Sequence, residues 1–342
     1  MSSNPTLDNT GTVREQLKTL MTWVRDFRTS RLLTTAVEEN ILERFSESGS
    51  SVDEVLRDGE NADAVYRFCR TLASVGLLDR TAPETYRPSD LTTTFLLEGS
   101  EFDLRPIIQL FHRNYEIWNK LPEILTEGHQ VESSVFGDVE FGRDFMLAME
   151  TRAHFVKDSV AETVTSLLSG GERIIDLGSG TGVFTRAILE EMPDAEAVLA
   201  DLPHVVEIAE DFSSGTSLSE RLSYRELDFF ETESYGEDFD VACLFSICHM
   251  FGEDKNRILL NRAADTLRPG GRIILRDYVL ENGGVGPPEG NLFDLHMILA
   301  TDTGRNYTLE EYETFLQDAG FEAVERMVMD GEDDLLTAKK PS

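Results

Sequence analysis

Hydrophobic residues in the C-terminal half of the chain come in short runs. Runs typical of buried strands cover residues 173–177, 196–200, 222–227, 239–246 and 271–279. Segments with helical spacing of apolar residues separate them, and this alternation predicts parallel β-α-β units. A helix over Tyr312–Ala319 is expected to precede a last strand pair, at about 323–329 and 334–339. The pattern predicts an α/β fold with a doubly wound, Rossmann-like sheet.

The N-terminal part of the chain follows a helical pattern instead. Apolar residues have helical spacing over Leu17–Phe27 and again over Leu32–Phe45. Capping sequences at Ser51 and Asn61 begin two further short helices, and strand-like runs between 77 and 88 form a small β-wing. Helices followed by a wing predict an N-terminal, mainly α winged-helix domain.

The length of 342 residues allows two domains, each with its own core. We divide the chain into a mobile tail at 1–12, a winged-helix domain at 13–100, a helical connector and pocket wall at 101–165, and the sheet domain at 166–342. Most apolar residues of the connector, Phe111 among them, are expected in the core.

A glycine-rich loop follows the first strand of the predicted sheet. Asp176 ends that strand, and Gly178, Gly180 and Gly182 follow at alternate positions before helical sequence resumes. Such glycines allow a sharp turn and a close approach to a ligand. Dinucleotide sites favour G-x-G-x-x-G, and the carboxylate of Asp176 would repel a pyrophosphate but suits an ammonium group. We therefore favour S-adenosylmethionine over NAD, with Asp201 after the next strand binding the ribose; a turn without a ligand is the alternative.

The charge balance is strongly acidic. The chain has 31 Lys and Arg residues against 64 Asp and Glu residues, a formal net charge of −33, and only 6 of the basic residues are lysines. Such a surface repels itself in dilute buffer and is screened in molar salt, so we interpret it as halophilic. An acidic mesophilic enzyme is the alternative. Either way, binding of nucleic acid through a basic face is disfavoured.

Cysteines and apolar segments indicate the compartment. Cys69, Cys243 and Cys248 lack metal-ligand or C-x-x-C spacing, the six histidines form no ligand motif, and we expect no metal. The N-terminus has no apolar signal segment, and the longest apolar run, 241–248, is far shorter than the roughly 20 residues of a membrane span. These features predict a cytoplasmic protein.

Several motifs in combination resemble those of the S-adenosylmethionine-dependent O-methyltransferases of plant caffeate and bacterial hydroxyindole or polyketide type. They are D-L-G-S-G-T-G at 176–182, D-L-P at 201–203, D-F-F at 228–230, I-C-H at 247–249, R-P-G-G at 268–271, and the late T-x-x-E-Y and A-G-F. The resemblance extends from about residue 25 to the C-terminus. It implies an antiparallel strand pair at the edge of the sheet.

The resemblance also implies a homodimer through the N-terminal domain. The residues on the helices that correspond to the dimer-forming elements are Phe27, Leu32, Leu33 and Val37. A DNA-binding role of the winged helix is the alternative, but the helix that would enter the groove carries Asp63, Arg67 and Arg70 and no basic cluster.

The resemblance places His249 at the position of the general base, where the fourth strand of the sheet ends. A phenol titrates near pH ~10 and a histidine near ~6.5, so the imidazole accepts the proton as the new bond forms. Asp277 matches the acid that orients the imidazole, and Asn306 stands where a second acid is usual. Met250 stands at a position where the resembled enzymes often have an aspartate. A histidine or aspartate with only a structural role at the strand end is the alternative.

The remaining contacts form two groups. The expected cofactor contacts are Asp176, Gly178, Ser179, Gly180, Gly182, Asp201, Leu202, Asp228, Phe229 and Ser246, with Asp228 and Phe229 at the adenine. The expected acceptor contacts are Phe141, Phe145, Met149, Met250, Phe293, Met297, Thr301 and Asn306. These apolar walls predict a small, flat acceptor with an aromatic or isoprenoid-derived hydroxyl.

Three other functions are compatible with parts of the pattern. The same fold could transfer a methyl group to carbon or nitrogen, where a base is less needed. A winged-helix regulator could sense S-adenosylmethionine without catalysis. An NAD-dependent oxidoreductase would use a similar loop.

Overall fold

A computed structural model describes residues 10–100, 102–128, 139–329 and 333–342, without the side chains of residues 10, 11 and 139–141. The chain forms two compact units that divide between Arg113 and Asn114. The chain separates into compact units at this one point, which does not test the predicted domain limits at 100 and 165. Those limits stay predictions. Within the described ranges, none of the helices combines the length and apolar character that a membrane crossing requires.

The first described element of the first unit is one long helix, α1 (Thr10–Glu38), where the sequence predicted two. Residues 1–9 of the predicted mobile tail lie outside the described residues, and its last three residues belong to α1. Nothing between the two predicted helices interrupts the backbone, since the residues there include no glycine or proline. The predicted continuation to Phe45 was wrong: Asn40 adopts a left-handed conformation, with φ 49°, and only a 3₁₀ turn over Leu42–Arg44 follows.

The rest of the first unit is the predicted helix and wing module. Its elements are β1 (Ser50–Ser51), α2 (Val52–Val55), α3 (Ala62–Ser74), β2 (Leu78–Ala82), β3 (Thr85–Pro88) and α4 (Asp90–Phe95). The capping box at Ser51 and the N-cap at Asn61 are confirmed. The strand β3 pairs antiparallel with both β1 and β2. Phe111 is 59% exposed, so its expected place in the core was wrong.

The described part of residues 101–165 consists mainly of helices, as the sequence predicted. They are α5 (Arg105–Trp118), α6 (Leu121–Glu127), α7 (Val139–His154) and α8 (Lys157–Thr165). The following strands are β4 (Arg173–Leu177), β5 (Glu196–Asp201), β6 (Leu222–Glu226), β7 (Phe239–Phe245), β8 (Leu267–Asp277), β9 (Val279–Leu280), β10 (Tyr307–Thr308), β11 (Glu322–Met327) and β12 (Asp334–Lys339). The helices between them are α9 (Val183–Glu191), α10 (Pro203–Ser213), α11 (Glu253–Thr266), α12 (Pro288–Ala300) and α13 (Leu309–Asp318).

In the described part of the chain the main sheet has seven strands, in the order β11-β12-β8-β7-β4-β5-β6. The strands from β8 to β6 are parallel, and β12 is antiparallel to both β8 and β11, which confirms the predicted edge pair. The strand order reverses between β4 and β7. Loops that leave the carboxyl ends of these two strands therefore diverge around a crevice, the usual ligand site of such sheets.

Both faces of the sheet are buried, as parallel strands require. Along β4, Ile175 and Leu177 belong to one apolar cluster and Ile174 to the other, on the opposite face. This explains why the strand reads as a continuous apolar run.

Candidate active site

The glycine loop after β4 lies directly against the segment after β7. Gly178 has φ +76°, and a Cβ there would be 2.4 Å from Cδ1 of Ile247 and 3.2 Å from Cζ of Phe229. Gly182 has φ +75°, and its Cβ would be 2.5 Å from Cδ1 of Leu199. The sequence predicted glycines that leave space for a ligand. At these two positions the space is occupied by the chain's own side chains, so glycine is needed for the loop to close.

Asp201 connects this loop to the start of α10. Its Oδ2 accepts a hydrogen bond from the backbone N–H of Gly180 at 2.8 Å, and its Oδ1 accepts from that of Leu202 at 2.7 Å. Burial raises the pKa of Asp201, and the two N–H donors oppose this effect. The carboxylate predicted to bind ribose thus lies at the end of β5, next to the glycine loop.

Asp176 is a buried carboxylate with incomplete hydrogen bonding. Its Oδ2 accepts from Oγ1 of Thr185 at 2.7 Å, whereas its Oδ1 has no partner in the described residues. Burial raises the pKa of this carboxyl to about 7. The hydroxyl of Ser179 is also buried, and the described part of the chain supplies it with no hydrogen-bond partner. A buried unpartnered oxygen costs free energy, and an ammonium group would satisfy it, so the residues fit the methionine end of S-adenosylmethionine.

Phe229 and Asp228 lie on the other side of the loop. The Asp228 Oδ1 accepts from the backbone N–H groups of Phe230 and Glu231, which fixes the turn after β6. The Phe229 ring packs against Tyr235 and Phe251 and approaches Gly178. This aromatic surface is where the sequence placed the adenine.

Ser246 stands at the end of β7 in a left-handed conformation, with φ +60°. Its backbone N–H donates to the carbonyl of Arg276 at 2.7 Å, and the Arg276 guanidinium donates to its Oγ at 3.1 Å. The same guanidinium pairs with the buried Asp333 at 2.5 Å. Arg276 and Asp333 were not predicted from the sequence, although an arginine inside a buried strand indicates that a partner acid is required.

His249 follows in a 3₁₀ turn over Cys248–Met250. Its Nδ1 lies 2.6 Å from Oδ1 of Asp277, and its backbone N–H donates to Oδ2 of the same carboxylate at 3.1 Å. Both side chains are buried. A carboxylate can only accept, so Nδ1 carries the proton and Nε2 of the neutral ring has a free lone pair. Among the described residues, none is hydrogen-bonded to this Nε2.

The predicted acceptor residues lie on three elements. Phe293 on α12 touches the His249 ring edge-on at 4.9 Å and stacks on Tyr278 at 4.3 Å. Met297 lies buried on the same helix and the buried Thr301 follows its last residue, and the Thr301 hydroxyl donates to the carbonyl of Met297. Phe145 and Met149 on α7 are half-buried, and so is Met250 beside His249. The side chain of Phe141 lies outside the described residues.

Asn306 is buried but is not hydrogen-bonded to His249. Its Nδ2 donates to the carbonyl of Gly290 and its backbone N–H to Asp294, both at 2.7 Å. Its Oδ1 has no partner in the described residues. Asn306 therefore holds the segment before β10 against α12, and the structure places one carboxylate, that of Asp277, on the imidazole.

Four further contacts near the site were not predicted. The guanidinium of Arg152 on α7 donates to the Tyr278 hydroxyl at 2.7 Å. Glu150 on the same helix pairs with Arg186 at 2.6 Å and accepts from the Thr181 hydroxyl in the glycine loop. The Nε1 of Trp118 donates to Nδ1 of His296 at 3.2 Å. In the described ranges no group of three or more potential metal ligands occurs.

Known proteins resemble this chain over most of its length. Residues 118–322 match the O-methyltransferase domain family. The chain is 28% identical over 338 residues to acetylserotonin O-methyltransferase of Bos taurus, covering 94% of this chain and 97% of that protein. It is 27% identical over 325 residues to tetracenomycin polyketide synthesis 8-O-methyltransferase of Streptomyces glaucescens, covering 92% and 94%.

A solved structure shares the fold. Human N-acetylserotonin methyltransferase, determined in complex with S-adenosylmethionine, aligns with a TM-score of 0.83 at 21% identity, covering 99% of this chain and 100% of that one. The family match spans more than half of the chain, and the methyl donor is S-adenosyl-L-methionine. The chain therefore belongs to the family of S-adenosylmethionine-dependent O-methyltransferases.

Proposed function

We propose that the enzyme methylates a hydroxyl group of a small, flat, apolar acceptor and that His249 removes the hydroxyl proton. The observation that carries this proposal is the buried pair of His249 and Asp277, in which Nδ1 is bonded and Nε2 is free to accept a proton. Transfer to carbon or nitrogen has less need for such a base.

The proposed chemistry needs alignment and one proton transfer. S-adenosylmethionine supplies a methyl group already activated on sulfur. Asp176, the glycine loop and Asp201 would hold the donor, while Nε2 of His249 takes the proton as the acceptor oxygen forms its bond to the methyl carbon. The buried Asp277 stabilises the resulting imidazolium. The products are a methyl ether, S-adenosylhomocysteine and a proton that later leaves His249.

The surroundings of His249 support an aromatic acceptor. Phe293 gives a flat, apolar surface beside the imidazole and stacks in turn on Tyr278, and aromatic rings favour stacked or edge-on neighbours. The two relatives described above are named for acetylserotonin and for a tetracenomycin polyketide. We infer an aromatic hydroxyl of similar size.

A labelled-methyl assay tests the proposed function. The enzyme is incubated with S-adenosylmethionine carrying a labelled methyl group and a panel of phenols, aromatic amines and activated aromatic carbons. We expect label in methyl ethers of the phenols. Label that appears only in N- or C-methyl products would contradict the proposal and favour the alternative reaction.

The exposed face of α1 supports a second proposal, a homodimer through the N-terminal domain. Its large apolar side chains recur at alternating spacings of four and three residues, the seam pattern of paired helices. Each of them is more than half exposed: Val13, Leu17, Leu20, Val24 and Phe27, with Trp23 beside them. We propose that a second copy of this chain covers this seam. Of the residues named from the sequence, Leu32, Leu33 and Val37 pack in the core of their own unit, and only Phe27 lies on the seam.

The charge of α1 fits this partner. Between Thr10 and Arg31 the helix has five basic and two acidic residues, whereas the whole chain has a net charge of −33. This local reversal reduces the repulsion between two acidic copies that meet through the helix.

Replacing both Leu20 and Val24 by glutamate should convert the dimer to a monomer in high salt. Two buried charges on the seam would each lack a partner, which an apolar interface does not tolerate. Light scattering coupled to size exclusion measures the mass. Thr22→Glu, on the polar side of the same helix, is the control and should stay dimeric; a wild-type monomer would contradict the proposal.

The acidic surface predicts a strong dependence of stability on salt. We expect the Tm to rise between 0.1 and 2 M KCl, because the Debye length falls from ~10 Å to ~3 Å or less and like charges stop repelling each other. A variant with fewer exposed acids should show a smaller rise. It replaces Glu47, Asp58, Glu190, Glu220 and Glu322, all exposed, with the matching amides. A wild-type Tm that is flat across this range would refute a halophilic adaptation.

A further inference from the structure

His296 on α12 has one hydrogen-bond partner among the described residues, Trp118 at the end of α5. The indole Nε1 lies 3.2 Å from Nδ1 of the imidazole, and the two ring planes are within 5° of parallel. An indole N–H can only donate, so Nδ1 of His296 is the acceptor and carries no proton. The neutral ring therefore has its proton on Nε2.

The surroundings of His296 keep the ring neutral. Burial lowers the pKa of His296, and the nearby His249 lowers it further. A protonated ring would also direct an N–H of its own against the Trp118 N–H and lose that hydrogen bond. The Nε2–H of His296 is thus a stable, uncharged donor.

The two histidines of this region have opposite tautomers. The Nδ1 of His249 donates to Asp277, whereas the Nδ1 of His296 accepts from Trp118. Both rings contact the same Phe293 ring, with centroid distances of 4.9 and 6.1 Å. Within the described ranges, neither Nε2 has a hydrogen-bond partner. The surroundings of Phe293 therefore offer one proton acceptor and one hydrogen-bond donor.

We infer that His296 is a specificity-determining residue, whose Nε2–H donates a hydrogen bond to a carbonyl oxygen of the acceptor whose hydroxyl faces His249. The inference rests on the proposed function and narrows the acceptor to a hydroxyarene that also bears a ketone, quinone or similar carbonyl. A site with a fixed donor discriminates against an analogue without the oxygen, because the half-buried N–H is then left unpaired.

Nitrogen NMR of the enzyme labelled at histidine measures the tautomer without any acceptor. In the wild type with S-adenosylhomocysteine, His296 should carry its proton on Nε2, and Trp118→Phe should give a mixture of tautomers. A proton on Nδ1 in the wild type would overturn the inference. This readout is independent of whether methyl transfer to oxygen occurs.

A matched pair of acceptors tests the hydrogen bond itself: a hydroxytetralone and the corresponding hydroxytetralin, which lacks only the carbonyl. Calorimetry on the enzyme with S-adenosylhomocysteine should show that His296→Phe weakens binding of the ketone by roughly 3- to 10-fold, the value of one neutral hydrogen bond. The affinity for the hydroxytetralin should change by less than about twofold in the same variant. His296→Gln retains an N–H donor and should keep most of the affinity for the ketone.

Turnover separates this inference from the proposed function. The loss in His296→Phe should appear in KM for the ketone, with kcat unchanged, because the bond is the same before and during methyl transfer. Absence of a ketone preference in wild-type binding, or equal losses for both compounds, would overturn the inference. A ketone preference in binding without methyl transfer to either hydroxyl would count against the proposed function alone.

Discussion

Replacing His249 with glutamine is expected to lower kcat by roughly 10²–10⁴-fold, the usual contribution of a general base. The buried carboxylate of Asp277 fixes Nδ1–H, so Nε2 is the ring atom free to take the acceptor proton. Glutamine keeps the polarity and about the same length but cannot accept a proton at neutral pH. Steady-state kinetics of labelled-methyl transfer measures the effect.

The affinity for S-adenosylhomocysteine serves as the control for this variant and should hardly change, because the imidazole acts on the acceptor. Asp277→Asn should lower kcat less than His249→Gln, since Nε2 itself remains. A His249→Gln enzyme with nearly full turnover would assign deprotonation to water or another residue. That outcome would favour transfer to carbon or nitrogen.

Gly178→Ala is expected to weaken binding of S-adenosylhomocysteine by about 1–3 kcal/mol, roughly 5- to 150-fold, because the added Cβ overpacks a closed site. A Cβ at this position would meet Ile247 at 2.4 Å and Phe229 at 3.2 Å. Both side chains would have to move from the surface where we place the adenine. Calorimetry with S-adenosylhomocysteine measures the loss.

Gly215→Ala is a matched control for this effect. Gly215 has φ +72°, close to the +76° of Gly178, but a Cβ there meets no atom within 4 Å. Both variants should lose about 1 kcal/mol of folding stability through the left-handed backbone, and Gly178→Ala should lose more, because its Cβ also meets Ile247 and Phe229. Only Gly178→Ala should lose cofactor affinity. Equal affinities of the two variants for S-adenosylhomocysteine would contradict the assignment of the glycine loop to the cofactor site.

Much of the fold could be predicted from the sequence because the signals are local. The strand β4, its glycine loop and α9 occupy consecutive residues, and the spacing of apolar residues differs between the strand and the helix. The capping box at Ser51 and the N-cap at Asn61 involve partners three residues away. The position of His249 at the carboxyl end of a strand follows from the same periodicity.

The tertiary structure decided which distant residues meet. The carboxylate of Asp277 and the imidazole of His249 are brought together because β7 and β8 are parallel neighbours in the sheet. Asn306, expected near the imidazole, bonds instead to Gly290 and Asp294, since the fold places α12 beside β10. No property of Asn306 itself reveals these partners.

The sequence by itself determined the α/β class and the glycine loop, because short-range periodicity and spacing encode them, and the resemblance of its motifs to those of O-methyltransferases indicated His249 as the candidate base. Only the tertiary structure decided the tautomers of His249 and His296, which depend on partners far along the chain. It also decided which apolar residues of α1 remain exposed and which enter the core of the first unit. A helical period specifies an apolar face, but the packing of other elements determines how much of that face is covered.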